Sequence, residues 1–276
     1  MAWLRSTTRL RNLLHAVLLI GAMAAIASSI GWLVWGDVAV IWTAAMVAFG
    51  LALSRNTPSN WILALLRAVP LSPAQWAEGY ALVEELSQRA DLNHAPRLYY
   101  LPSPEPNAIS LGRGKQSVIA ITQGLLQLLD ERELVGVLAH EISHFRANDI
   151  GLLNLAALLS QLTVLMAFFG LLLVVVSLPI YLISGQSPPL LLILLLVLAP
   201  YAVTLLTLAL SRAREFDADL NAALLTGDPA GLASALDKLK QLHGSYWEQI
   251  FPGRTRSSPW LQSHPSTRER IARLLS

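Results

Sequence analysis

The sequence predicts a mainly α membrane protein, with four transmembrane helices plus a cytoplasmic α+β domain built on a small sheet. Three observations predict it. Charged residues are absent from three long stretches, every Lys and Arg lies on one side of those stretches, and strand-like segments bounded by Pro and Gly cluster in one charged region mid-chain. Only 14% of the 276 residues are charged, against about 25% in soluble domains, and the mean hydropathy is +0.51.

No Asp, Glu, Lys or Arg occurs from Leu13 to Gly36, from Val38 to Ser54, or from Ile150 to Ser211. A span needs ~20 apolar residues. The first stretch supplies one helix, about 13–35, and the shorter second supplies another, about 38–54. The third is too long for one helix. Gly185-Gln186-Ser187-Pro188-Pro189 breaks it as a turn into spans at about 151–184 and 190–211. The domains are then an N-terminal hairpin (1–54), a first soluble part (55–149), a second hairpin (150–211) and a second soluble part (212–276).

All 20 Lys and Arg fall in the N-terminal tail, between Arg55 and Arg146, or from Arg212 onward. The positive-inside rule puts both termini and the middle soluble segment in the cytoplasm. Trp32, Trp35 and Trp42 flank the Asp37 turn as interfacial aromatics do. The net charge of +2 is therefore a topological bias rather than a sign of nucleic-acid binding. Arg5, Arg9 and Arg11 before an apolar run, with Ala22-Met23-Ala24, resemble a signal peptide, but the run continues to Gly36 and favours an uncleaved helix. Cysteine is absent, which excludes disulfides and thiolate chemistry.

Between the hairpins, Ser54 to Pro73 is a linker with an amphipathic piece. Its Trp61, Ile62, Leu65 and Leu66 suit a membrane surface or packing on the soluble domain equally. Ser72-Pro73-Ala74-Gln75 predicts a capping box opening a helix to about Ala90. Arg97 to Leu101 is strand-like, and Pro102, Pro104 and Pro106 force a loop. Asn107–Leu111 and Gln116–Thr122 predict two strands joined at Gly112-Arg113-Gly114-Lys115. Asp130-Glu131-Arg132-Glu133 is a capping box that opens the next helix.

That helix carries His140-Glu141-Ile142-Ser143-His144, an H-E-x-x-H stretch. Residues four apart share a helix face, roughly 5–6 Å apart at Cβ. Two imidazoles so placed can grip one Zn²⁺, and the intervening Glu can reach a water on it. After the last span, Glu215 and Asp219 also lie four apart. One carboxylate can complete a His₂Glu site, leaving a position for water. The other can accept the free N–H of a ligand histidine. Alternatively, Arg212 and Glu215 are ordinary charges ending a span. His144 precedes the third span by a few residues and Glu215 follows the fourth by a few. At 1.5 Å per residue both lie within about 10 Å of the cytoplasmic mouth of one helical hairpin.

Beyond these motifs, the sequence resembles the HtpX-like integral-membrane zinc metallopeptidases, relatives of the CAAX-prenyl endopeptidases, from about Leu92 to the end. The resemblance is carried by Pro106-Asn107-Ala108, Val118 to Leu126, Glu133 to His144, Asn148-Asp149, Ser211 to Asp219, and His264-Pro265 followed by Arg270. It implies a zincin-like (gluzincin) catalytic domain holding one zinc ion per chain. His140, His144 and Glu215 would be the ligands, Glu141 the base, and Asp219 the group behind the ligands. Asn107 and Ala108 would lie on an edge strand that binds the substrate backbone. Ile109 departs from the Phe common in the family, which bears on substrate fit.

The other histidines have plainer roles. His15 and His94 are structural or surface residues, and His243 stands before Gly244 at an expected helix C-terminus. His264 is either a residue of the cap before a final helix opened by Pro265 and Ser266-Thr267-Arg268-Glu269, or a catalytic or oxyanion group, as the resemblance suggests. Asn154, Ser160, Gln161 and Thr163 in the third span suit a wet cavity or interhelical packing equally.

The leading expectation is a zinc metalloendopeptidase of a bacterial inner membrane, with its active site cytoplasmic. A Glu-activated, zinc-bound water would attack polypeptide substrates, and resemblance implies misfolded or damaged membrane proteins. Its partners would be the lipid bilayer and those substrates, with no nucleic acid. The alternative is a catalytically idle scaffold that keeps zinc for folding. A transporter is disfavoured because the spans lack the ionisable residues an ion path needs.

Overall fold

The computed structural model of the protein describes residues 2–38, 59–250 and 266–276, with isolated positions between 41 and 52. In chain order the elements are α1 (Ala2–Trp35), α2 (Ser59–Leu65), β1 (Val69–Pro70), α3 (Ala77–Arg89), β2 (Arg97–Leu101), β3 (Ala108–Leu111), β4 (Val118–Thr122), α4 (Gln123–Leu128), α5 (Glu131–Ala147), α6 (Asp149–Ser184), α7 (Leu190–Thr226), α8 (Pro229–Ile250) and α9 (Thr267–Leu274). They divide into two units, 1–54 with 151–211, and 55–150 with 212–276.

The first unit is helical. By length and composition α6 and α7 can each cross a membrane, and α1 carries the shorter apolar run Val17–Trp32. Most of the expected second span, 38–54, lies outside the described residues. Met23 of α1 packs with Leu155 and Leu159 of α6 and with Val203 and Leu210 of α7, while Ile30 packs with Ala167, Leu196 and Ala199. Outward faces expose Phe168, Phe169, Ile183, Leu190 and Tyr201, an apolar exterior suited to lipid rather than water. The hydroxyls of Thr163, Ser177, Thr204 and Thr207 each donate to the carbonyl four residues back. That satisfies them where no water is at hand. Of the polar residues in the third span, Thr163 is buried, Ser160 half-buried, and Asn154 and Gln161 exposed. Gly36, with φ 71°, ends α1. Trp32 Nε1 donates to Asp37 Oδ1 at 2.9 Å across this turn.

The second unit is a four-stranded mixed sheet, order β1-β2-β4-β3, with helices on it. β2 and β4 run parallel, and β1 and β3 are antiparallel edges. Val118-Ile119-Ala120-Ile121-Thr122 is buried throughout, as a central strand covered on both faces must be. Ile119 and Ile121 face a core of Val83 and Leu86 (α3), Val137, Leu138 and Ile142 (α5), Ala222 (α7), and Leu232 and Leu236 (α8). Val118 and Ala120 face Leu63, Leu101, Ile109 and Leu111. Leu63 is the buried residue of α2, while Trp61 and Leu65 are exposed.

Helix α5 starts where Asp130 accepts from the Glu133 amide and Glu133 accepts from the Asp130 amide. Glu133 also accepts from Ser234 Oγ and Lys238 Nζ, both at 2.6 Å, which ties α5 to α8. Burial by itself raises the Glu133 pKa, but the bonds from Lys238, Ser234 and the Asp130 amide outweigh it and hold the carboxyl below its usual range.

Two expectations are corrected. The Ser72-to-Gln75 segment closes a turn rather than opening a helix. The Gln75 carboxamide oxygen accepts from the Ser72 amide and hydroxyl, and α3 begins only at Ala77. Helix α8 runs through His243 and Gly244 to Ile250, since a single Gly inside a helix costs only about 1 kcal/mol and need not end it. Helix α7 continues beyond its apolar stretch, since Ser211 to Thr226 contains neither Gly nor Pro, and Gly227 at φ 70° stops it.

Gly136 marks a close approach of α5 to α8. A Cβ there would sit 2.9 Å from the Leu232 amide nitrogen and 3.0 Å from its Cα. We expect Gly136→Val to destabilise the protein by about 1–3 kcal/mol through overpacking, read as a lowered thermal midpoint in detergent. Gly21→Ala, whose Cβ would meet nothing within 4 Å, should leave the midpoint unchanged or slightly raised.

Candidate metal centre

His140 and His144 lie one turn apart on α5, rings edge to face at 89° with centroids 4.8 Å apart and their Nε2 atoms 3.2 Å apart. Glu215 comes from α7, with Oε2 3.7 Å from His140 Nε2 and Oε1 3.9 Å from His144 Nε2. One donor atom from each of the three residues lies within 4.8 Å of the others. Tetrahedral zinc with bonds of about 2.0–2.2 Å separates its ligand atoms by roughly 3.3–3.5 Å. The three donors already stand near those separations, so the residues fit a metal ion.

The same arrangement fixes the histidine tautomers. His140 Nδ1 lies 3.0 Å from Asp219 Oδ1, and His144 Nδ1 lies 3.0 Å from Asp149 Oδ2. Each imidazole donates Nδ1–H to a carboxylate behind it and turns its Nε2 atom toward the cluster, where it can ligate a metal once that nitrogen is deprotonated. Each carboxylate is braced by an arginine. Arg270 of α9 donates to both oxygens of Asp219, at 2.7 and 2.6 Å, and lies 3.0 Å from Glu215 Oε2. Arg214 lies 3.3 Å from Asp149 Oδ1 and 3.1 Å from Asp217.

Asp149 reaches His144 because of Asn148. That residue caps α5 in the left-handed region, φ 58° and ψ 35°. Asn tolerates this conformation better than most side chains. The kink ends one helix and lets the next begin at Asp149, so the chain returns its carboxylate to the histidine five residues back.

Glu141 is half-buried beside the two histidines, and its Oε2 accepts a hydrogen bond from the Ser110 hydroxyl. Ala108 opens β3, an edge of the sheet that no further strand covers among the described residues. Asn107 stands just before it with its main chain engaged. Its N–H donates to Thr122 Oγ and its carbonyl accepts from the Thr122 N–H and hydroxyl. The main chain of Asn107 therefore pins the strand to β4. His264 lies outside the described residues, while Ser266 caps α9 by accepting from the Glu269 amide. Ser110, Asp149, Arg214 and Arg270 take roles that the sequence motifs do not assign. The Asn-Asp step after a helix was the one local signal for Asp149. Arg270 is 51 residues from Asp219, on a helix that nothing local ties to it.

Burial lowers the His144 pKa, but the Asp149 hydrogen bond and the charges of Glu141, Asp149 and Glu215 overcome it and push it up to about 9.

Comparison with known proteins gives a consistent relationship. The profile of peptidase family M48 matches residues 73–276. A protease HtpX homolog of Pseudarthrobacter chlorophenolicus is 34% identical over 289 residues, covering 95% of each chain. One of Syntrophobacter fumaroxidans is 36% identical over 296 residues, covering 95% of this chain and 98% of its own. The crystal structure of S. mikatae Ste24p superposes with a TM-score of 0.53 at 19% identity, over 99% of this chain and 65% of that one, a likeness of fold.

Calorimetric zinc titration of the metal-free protein tests the cluster. Glu215→Ala should lose most affinity, and Asp149→Ala and Asp219→Ala should each lose about 10–100-fold. A His144 pKa raised to about 9 means the imidazole is protonated at pH 7 and must release that proton to bind metal. Affinity should then rise about tenfold per pH unit until pH nears 9, with about one proton released per ion at pH 7 from this residue. Unchanged zinc affinity in Glu215→Ala removes Glu215 from the site.

Proposed function

The chain belongs to peptidase family M48, and from that premise we propose that it is a zinc-dependent endopeptidase that cleaves misfolded or damaged membrane proteins, with Glu141 as the base. It is a membrane metallopeptidase of the HtpX type. The observation that carries the finer reading is the convergence of His140, His144 and Glu215 on one point, with Glu141 on the same turn of α5. Two imidazoles and one carboxylate are the donor set of a catalytic zinc site.

A metal held by these three side chains supplies Lewis-acid polarisation of the scissile carbonyl and lowers the pKa of water toward ~7. The chain's own residues do the rest. Asp149 and Asp219 keep the imidazoles aimed. Glu141 takes the proton from water as its oxygen bonds to the carbonyl carbon, then delivers it to the amide nitrogen as the C–N bond breaks. The free edge of β3 holds the substrate main chain as an added strand. Long apolar helices in the same chain as the site support membrane proteins as the substrate class.

Glu141→Gln tests the mechanism. The amide keeps the size but cannot accept the proton, so cleavage of an unfolded test protein by the detergent-purified chain should fall by at least about 10²-fold while zinc content holds. Cleavage near the wild-type rate would refute Glu141 as base, and a metal-dependent fold with no cleavage in the wild type would favour an idle scaffold.

The distribution of Lys and Arg supports a cytoplasmic active site in a bacterial inner membrane. Reporter fusions after Ser276 and near Pro104 should report cytoplasm, and one near Gln186 the exterior. An exterior signal near Pro104 would overturn the orientation.

A further inference from the structure

The side chains of Ile109 and Leu111 pack into the cluster of Leu63, Leu101, Val118 and Ala120, on the sheet face away from α5. Alternation along a strand turns Ala108 and Ser110 to the opposite face, where Ala108 packs into the core shared with α5. Ser110 reaches Glu141 there. Its hydroxyl donates to Glu141 Oε2 at 2.5 Å and also lies 3.3 Å from the Glu141 carbonyl oxygen. The main chain of the same residue has a second use. The Thr122 N–H to Asn107 carbonyl bond sets the phase of the β3–β4 ladder. In an antiparallel ladder the residues that bond across the pair alternate with residues whose N–H and C=O point outward. Ala108 and Ser110 are the outward pair, on the edge that no strand covers among the described residues.

We propose that Ser110 is the positioning residue for the general base, tying the Glu141 carboxylate to the strand on which substrate is held. The proposal rests on the reading of Glu141 as base. The serine hydroxyl occupies Oε2, so Oε1 is the oxygen that takes the proton from water. A substrate strand bonding to the main chain of Ser110 rigidifies the residue that also holds the carboxylate. Substrate docking and base placement thus share one residue. Nothing in the sequence motif marks this, because Ser110 is 31 residues before Glu141 and on another element.

Steady-state cleavage of a fluorogenic peptide by the full detergent-purified chain tests it in wild type, Ser110→Ala, Ser110→Thr, Glu141→Gln and the Ser110→Ala/Glu141→Gln double variant. Metal content and thermal midpoint are measured on each. Ser110→Ala should lower kcat roughly tenfold, the scale of one hydrogen bond to a charged group. KM should stay within about twofold because the main-chain pairing is intact. Metal content and midpoint should match wild type, Ser110→Thr should recover most of kcat, and on the Glu141→Gln background Ser110→Ala should change nothing further. Infrared difference spectra of the metal-free protein should show the Glu141 carboxylate stretch displaced by Ser110→Ala and restored by Ser110→Thr. An unchanged kcat, a kcat loss matched by metal loss, or an equal loss in Ser110→Thr overturns the role of Ser110 alone. Near wild-type cleavage by Glu141→Gln overturns the base itself, and the role of Ser110 falls with it.

Discussion

Two histidine rings held from behind are the interaction on which the centre depends. Each imidazole gives Nδ1–H to a buried carboxylate, Asp149 lying against the buried Arg214 and Asp219 against the half-buried Arg270. Buried charge is costly unless it is paired. Glu141, Asp149, Glu215 and Asp219 crowd around two rings, and Arg214 and Arg270 offset only part of that negative charge. The remainder favours a cation at the point where the Nε2 atoms meet. The raised pKa of His144 expresses the same imbalance, since a proton is the simplest cation that can answer it. Metal affinity, tautomer choice and ring orientation are thus one electrostatic arrangement.

Such an arrangement needs a rigid base, and α5 supplies it. Its first turn is closed by a reciprocal cap, and the cap glutamate is also the anchor for Ser234 and Lys238 of α8. One turn before His140, Gly136 allows the α8 main chain to approach too closely for any side chain. Between these, Val137, Leu138 and Ile142 are fixed in the core against the sheet. A site built on a helix locked at its start, flank and underside holds its ligands more closely than one carried by loops. The other end of α5 is equally determined, because Asn148 turns the chain sharply enough to place Asp149 behind His144.

The sheet contributes its edge. β4, buried on both faces, fixes β3, and the Asn107–Thr122 bonds fix the phase of the pairing. That phase decides which residues offer their main chain outward and which side chains face α5. One residue earlier or later, the hydroxyl of Ser110 would enter the apolar face with Leu63 and Val118, and Glu141 would lose its partner.

The sequence by itself determined what is local or compositional. The apolar helices α6 and α7 follow from missing charge, the start of α5 from Asp130 and Glu133, the strands from alternation between prolines and glycines, and the His140–His144 pair from a spacing that matches the helical repeat. Glu215 and Asp219 were legible as a pair for the same reason. Tertiary structure decided what joins distant segments. Arg270 meets Asp219 from α9, Ser110 meets Glu141 from β3, and Lys238 meets Glu133 from α8. No periodicity encodes these meetings, because they depend on how separately folded elements pack. Local pattern also misled, as when the Gln75 side chain made Ser72 a turn and α8 ran on through Gly244, a residue whose cost of about 1 kcal/mol does not by itself end a helix. Spacing within one element is set by backbone geometry, which the sequence carries directly. Contact between elements is set by the shared core, which exists only once the chain has folded.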